Sequence, residues 1–135
     1  MGYDVHDLPD EVLAFLDERH LATLTTLRPD GSPHVVAVGF TWDDDAGLAR
    51  VITFAPSRKA RNVAAAEVAG ARGRVAVSQV DGGRWLTLEG TAVVTDDPTR
   101  VAEAVRRYAE RYRPPGERVD RVAIEITVDR VLGRA

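Results

Sequence analysis

A short segment near the middle of the chain groups side chains that could hold an anion. It reads Ser57-Arg58-Lys59-Ala60-Arg61-Asn62 and follows a proline, so Ser57 is expected to cap a helix that begins there. The unpaired N–H groups and the dipole of a helix start attract phosphate. Lys59 adds a compact ammonium, and Asn62 adds an amide that can donate and accept. A capped surface helix with solvated charges is the alternative interpretation.

Composition draws attention to the same segment. The chain has 18 basic residues, of which only Lys59 is a lysine, so 17 are arginines; Asn62 is its one asparagine. The abundance of Arg, Ala, Val and Gly is typical of a GC-rich genome. Where arginine serves as the cation everywhere else, a lysine and an asparagine three residues apart indicate a local chemical demand.

Length and charge exclude several classes of protein. A chain of 135 residues predicts one domain over 1–135. The absence of cysteine excludes disulfides and cysteine-bound metal, and three scattered histidines predict no metal site. A net charge of −3 argues against binding to nucleic acid or a membrane surface. The acidic amino terminus and the lack of a long apolar run predict a cytoplasmic protein.

Turn signals divide the chain into short elements, most of which alternate as strands do. Helices are predicted from Pro9, with Asp7 as a plausible cap, to about Arg19, from Ser57 to about Val68 and from Pro98 to about Arg111. The predicted strands are 21–27, 34–42, 48–54, 74–80, 84–94 and 121–131.

The order of these elements favours an antiparallel barrel with helices at its periphery. The six strands are mostly consecutive and joined by tight turns such as Asp81-Gly82-Gly83. Strand 34–42 carries largely apolar side chains on both faces, which suits a barrel strand better than a solvated sheet. No Gly-rich nucleotide loop, nucleophile elbow or metal-protease motif is present, so no catalytic residue is assigned.

Six segments spread over nearly the whole chain carry a family resemblance. They are 19–34, 34–40, 50–53, 59–62, 78–86 and 107–113. Together they resemble the split β-barrel family of flavin and deazaflavin proteins related to pyridoxamine 5′-phosphate oxidase. The resemblance is strongest to its actinobacterial branch, which uses coenzyme F420.

The resemblance implies a mainly β, six-stranded antiparallel split barrel of the FMN-binding-protein type that forms a homodimer, with two cofactor sites at the interface. The expected cofactor is F420, with FMN as the alternative. The positions that correspond to the phosphate-binding turn are Ser57, Arg58, Lys59 and Asn62. Those that flank the ring are His34, Val36, Val51, Ile52 and Thr53, and those in the stretch contributed by the partner subunit are Gln79 and Trp85.

The activity implied is hydride transfer from reduced F420 to a conjugated acceptor, with biliverdin, reduced to bilirubin, as the favoured substrate. Arginine side chains could bind its two propionates, and the expected substrate contacts are Trp85, Tyr112 and Arg113. Two alternatives stay open. One is an FMN-dependent oxidase of the pyridoxamine phosphate type, and the other is a non-catalytic carrier of F420 or a tetrapyrrole.

Overall fold

The computed structural model describes residues 2–70 and 73–135, which form three helices and eight strands. In chain order the elements are β1 (Gly2–Tyr3), α1 (Asp10–Asp17), β2 (Ala22–Leu27), β3 (Pro33–Val38), β4 (Thr41–Asp43), β5 (Leu48–Phe54), α2 (Arg58–Val68), β6 (Gly73–Asp81), β7 (Arg84–Thr95), α3 (Pro98–Arg111) and β8 (Arg121–Arg134). No helix in this part of the chain is long and apolar enough to cross a membrane.

All strand pairs are antiparallel, and the sheet has the order β3-β2-β6-β7-β8-β5-β4, with β1 beside β8. The outermost strands β3 and β4 are joined by only Gly39 and Phe40. Val38 and Thr41 are therefore at most about 11 Å apart, because consecutive Cα atoms are about 3.8 Å apart. The two ends of the sheet must meet, so the sheet curls into the predicted barrel.

The structure corrects the predicted strand 34–42, which divides into β3 and β4. At the division the rings of α3 pack against the backbone: a Cβ on Gly39 would lie 2.9 Å from Tyr108 Cε2. Only glycine fits there, and the chain uses this point to cross from one end of the sheet to the other. The division and the two-residue β1 account for eight strands rather than six.

The three predicted helices are present, with one correction at a cap. Helix α1 begins after Pro9 without a side-chain cap, so Asp7 does not have that role. Ser57 caps α2 and Asp97 caps α3, each accepting a backbone N–H three residues later. The bounds of α2 and α3 agree with the prediction.

The barrel interior is filled by alternate residues of the long strands together with α1. Its largest fully buried side chains include Phe15, Phe40, Leu24, Leu86, Leu88, Ile124 and Ile126. The outer face of β3 is not covered, because Val35 is 58% exposed while the next residue, Val36, packs partly against the core. The expectation that both faces of this strand are covered is therefore wrong for the single chain.

Candidate cofactor and acceptor site

The start of α2 is fixed to the end of β5 by two buried hydroxyl groups. Thr53 Oγ1 donates to Ser57 Oγ over 3.1 Å, and Ser57 Oγ accepts the N–H of Ala60 at 3.3 Å. Both side chains are buried. Ser57 and Thr53 therefore position the helix, and the charged side chains that follow project from a fixed base.

Asn62 lies deeper than the sequence suggested. It is 3% exposed, and its Nδ2 donates to Thr26 Oγ1 at 2.9 Å, which ties α2 to β2. Its Oδ1 has no hydrogen-bond partner among the described residues. The amide therefore holds the helix against the barrel, and the cations of the first turn lie nearer the surface.

Cationic groups from three elements converge beside this helix start. Burial lowers the pKa of His34, and the charges of Arg28, Lys59 and Arg58 lower it further. Burial also lowers the pKa of Lys59. Among residues 2–70 and 73–135, none of the three basic side chains forms an ion pair with a carboxylate.

His34 has a polar atom that the protein itself leaves unsatisfied. Its Nδ1 is buried and finds no hydrogen-bond partner in the described part of the chain. Unsatisfied buried polar atoms are rare in proteins, and each calls for an explanation. The cluster of Arg28, His34, Arg58 and Lys59, called here the cationic corner, has the charge and the donors that suit a phosphate group.

Val51 and Ile52, two of the residues predicted to flank the ring, lie on opposite sides of β5. Val51 is 1% exposed within the barrel core, so its side chain is out of reach of a ligand on the surface. Ile52, on the opposite side of β5, lines a hollow of about 260 Å³ together with Gly39 and Tyr108. Of the pair, only Ile52 can offer a side chain to a bound ring.

Gln79 and Trp85 also face opposite sides of the barrel wall. Gln79 is fully buried, donates to the Phe15 carbonyl at 3.0 Å and accepts from Arg111 at 2.7 Å. Trp85 is 37% exposed on the outer face, where it pairs across the strands with the more exposed Val80. Only Trp85 is therefore open to contact with another molecule.

The structure does not bring the three residues predicted to contact substrate, Trp85, Tyr112 and Arg113, together in one site. The Tyr112 hydroxyl donates to the His20 carbonyl at 2.6 Å and accepts the Phe40 N–H at 3.1 Å, and burial raises the pKa of Tyr112. Arg113 is exposed. Tyr112 thus positions the crossing between β3 and β4.

Sequence reasoning missed Phe54 and two arginines beside it. The Arg118 guanidinium carbon lies 4.2 Å from the centre of the Phe54 ring, and Lys59 Nζ lies 6.0 Å from the same centre. Arg118 and Arg121 also line the hollow that contains Ile52. Their only sequence signal is a position after the Pro114-Pro115-Gly116 turn, which does not say where that turn folds.

One cluster of possible metal ligands is already neutralised by an arginine. Ligand atoms of Glu18, His20 and Asp81 lie within 4.8 Å of one another. Arg84 donates to Glu18 at 2.8 Å and to Asp81 at 2.5 Å. Hydrogen bonds from Arg84 and His20 lower the pKa of Glu18 to about 2. The guanidinium takes the place that a cation would occupy.

The chain is similar to known proteins over most of its length. The sequence profile of the pyridoxamine 5′-phosphate oxidase family matches residues 8–135. A Mycobacterium tuberculosis protein named F420H2-dependent biliverdin reductase is 56% identical over 128 residues, which cover 95% of this chain and 89% of that protein.

Two solved structures extend the similarity to the fold. A conserved hypothetical protein of Mycobacterium tuberculosis is 25% identical with a TM-score of 0.76, and the match covers 95% of this chain and 85% of that one. A structure named F420 reductase is 28% identical with a TM-score of 0.72, covering 93% and 98% of the two chains.

Proposed function

The chain belongs to the pyridoxamine 5′-phosphate oxidase family, and on that premise we propose that it is a reductase that uses reduced coenzyme F420 to convert biliverdin to bilirubin. The observation that carries the proposal is the 56% identity, over 95% of the chain, to a protein named F420H2-dependent biliverdin reductase. The similarity to a structure named F420 reductase supports the same cofactor.

The cationic corner fits a cofactor that carries a phosphate group. Lys59 and Arg58 supply charge, and the buried Nδ1 of His34 lacks a partner that a phosphate group or its hydration could provide. Ser57 and Asn62 contribute by holding the helix start in place. Since FMN also carries a phosphate, this cluster supports a phosphorylated cofactor, and the named relatives favour F420.

The protein's part in the reaction is to bind and orient. Reduced F420, when bound, supplies a hydride, and biliverdin gains it together with a proton from water. Val36, half-buried on β3 two residues after His34, offers apolar surface to a flat ring beside the cationic corner. A position close to the phosphate site lets binding energy align the two reactants, which is where the rate enhancement arises.

We also propose a homodimer formed through the outer face of the barrel. Apolar side chains are exposed there on four adjacent strands: Leu27 on β2, Val35 on β3, Val80, which is 66% exposed, on β6, and Trp85 on β7. Large exposed apolar surfaces mark interaction sites. Sedimentation should give twice the chain mass, and Val80→Asp should shift the protein to monomer; a wild-type monomer that binds cofactor would refute the shared site.

The central experiment is a parallel titration of the apo-protein with oxidised F420 and FMN, followed by turnover. We expect tighter binding of F420 and, with reduced F420 and biliverdin, loss of the reduced coenzyme together with the shift of the bilin absorbance. Tighter FMN binding would favour the oxidase alternative. Binding of F420 without consumption by biliverdin, a quinone or a nitro compound would favour a carrier. The cytoplasmic location and actinobacterial origin stay predictions of the sequence.

A further inference from the structure

We propose that the acceptor binds in the hollow between β5, α3 and the segment 113–120, with its carboxylates held by Arg118 and Arg121. This inference rests on the proposed function, because it names where the acceptor of that reductase lies. It replaces Arg113, which the sequence favoured, with two arginines that line a hollow.

Apolar and aromatic side chains form part of the lining of this hollow, beside Thr53 and the two arginines. This part is formed by Ile52, Phe54, Tyr108 and Pro115 and by the backbone of Gly39. A Cβ at Gly39 would meet the Tyr108 ring at 2.9 Å, so the ring lies directly against the main chain. A planar conjugated molecule can stack on such a surface.

A second hollow shares the two arginines with the first. The first has a volume of about 260 Å³. The second has a volume of about 500 Å³ and is lined by Val101 and Val105 of α3 and by Val119. Arg118 and Arg121 line both. Sites for ligands of this size measure about 300 to 1,000 Å³, so the first hollow is too small for a tetrapyrrole, whereas the two together accommodate an elongated one.

The two guanidiniums stand at the junction with donors to spare. Arg118 forms an ion pair with Asp120, donating through Nε at 2.6 Å and through Nη2 at 3.4 Å, and Arg121 Nη2 donates to the Gly116 carbonyl at 2.8 Å. A guanidinium has five N–H donors, so each can also bind a carboxylate. Asp96 and Glu117 line the second hollow, and their charges keep an acidic group at the arginine end.

Phe54 connects this hollow to the cationic corner. The Arg118 guanidinium carbon lies 4.2 Å from the centre of the Phe54 ring, and Lys59 Nζ lies 6.0 Å from the same centre. An acceptor held by Arg118 would therefore lie next to a cofactor held by Lys59. That adjacency is what hydride transfer between two bound molecules needs.

The test compares Arg118→Gln and the double variant with Arg121→Gln against the matched control Arg113→Gln. Biliverdin and its dimethyl ester are titrated into each protein and followed by bilin absorbance. We expect biliverdin to bind the double variant about tenfold to hundredfold more weakly, as loss of charge-assisted hydrogen bonds implies. The ester should bind all four proteins almost equally, and the Kd for F420 should not change.

The outcomes separate this inference from the proposed function. Wild-type protein that binds biliverdin but does not reduce it would refute the function and leave the site intact. Turnover with an unchanged KM in the double variant would overturn the site alone. Weaker binding in Arg113→Gln only, weaker F420 binding in the double variant, or no preference for the acid over the ester would also overturn it. If the double variant does not fold, two milder variants still test the site: Arg118→Gln, which changes an exposed side chain, and Arg121→Lys, which keeps the charge.

Discussion

Helices α2 and α3 both carry several cationic side chains, but the two helices differ in whether these side chains have carboxylate partners. On α3, Arg106 bonds Glu103 and Glu110, and Arg107 bonds Glu103 and Asp43. In the first turn of α2 no acidic residue is present. Within the described part of the chain, its Arg58, Lys59 and Arg61 have no carboxylate partner.

The difference shows which charges serve the fold and which await a ligand. On α3, Arg107 ties the helix to the barrel through Asp43 of β4, whereas the pairs of Arg106 lie within the helix. Cations at a helix start oppose the helix dipole and weaken the helix unless an anion neutralises them. An unpaired cluster at that position is therefore better explained by a bound anion than by stability, and the predictions below test this contrast.

The largest effect is expected at the buried carboxylate that anchors α3. Asp43, 7% exposed, bonds Arg50 at 2.8 Å and Arg107 at 3.1 Å. Asp43→Ala leaves the buried Arg50 without its partner, which should lower the free energy of unfolding by about 3 to 5 kcal/mol. Urea denaturation measures this. Asp45→Ala, at a neighbouring exposed carboxylate, should change the free energy of unfolding by less than about 0.5 kcal/mol. Equal losses in the two variants would contradict a structural role for the pairs of Asp43.

The opposite result is expected for the unpaired lysine. Lys59→Ala should weaken the binding of F420 by about tenfold to hundredfold, or about 1.5 to 3 kcal/mol, because a charge-assisted bond to phosphate is lost. Its stability in urea should stay close to that of the wild type. Calorimetric titration gives the affinity, and Arg61→Ala, which removes an exposed cation two residues further along the same turn, is the control. An unchanged affinity in Lys59→Ala would remove the phosphate assignment.

A smaller effect is expected in the pH dependence of the cationic corner. Burial and then the charges of Arg28, Lys59 and Arg58 hold the pKa of His34 below 6.5. The folded state therefore binds fewer protons, and this contribution to stability is complete above pH 6.5 and is lost as pH falls through the folded pKa.

A bound phosphate should reverse part of that shift, because it offsets the neighbouring positive charges. We expect the pKa of His34, followed by NMR, to rise when inorganic phosphate is added, and phosphate affinity to increase as pH falls below 6.5. The exposed His6 serves as the internal control. A His34 pKa that ignores phosphate while Lys59→Ala still loses affinity would place the anion away from this ring.

The smallest effect is expected on the surface of α3. Hydrogen bonds from Arg106 and then Arg107 lower the pKa of Glu103 to about 2, so this network contributes fully above pH 4.5 and is lost as pH falls toward 2. Arg106→Ala should cost less than about 1 kcal/mol, since exposed ion pairs contribute little and salt screens them. Thermal melts at low and high salt check this. If Arg106→Ala lost as much stability as Asp43→Ala, the exposed ion pairs of α3 would matter as much as the buried one, contrary to this prediction.

The family, the barrel and the reductase class could be predicted from the sequence, because they depend on motifs formed by residues close together in the chain. Ser57 before a helix, Asp81-Gly82-Gly83 between strands and Pro98 at a helix start act over a few residues, so their effect is visible in the sequence. The family resemblance and the F420 cofactor that it implied agree with the relatives. The site residues as a set stay predictions.

The direction of individual side chains was decided by tertiary structure. Asn62 meets Thr26 across 36 residues, Gln79 meets Phe15 across 64, and Tyr112 meets His20 across 92. A polar residue type states that a partner is needed but not where the partner lies. All three were predicted to contact cofactor or substrate; in the structure each has a partner within the protein, and their contact with a ligand stays a prediction.

The sequence by itself therefore determined the elements, the family and the charge at the start of α2, because those depend on local propensity and on motifs. Only the folded chain decided that strand 34–42 would cross between the sheet ends at Gly39 and that Arg118 and Arg121 would line a hollow with Ile52 of β5. It also decided that, within the residues the structure describes, the cations in the first turn of α2 have no carboxylate partner. These depend on contacts between distant segments, and the barrel has to close before they exist.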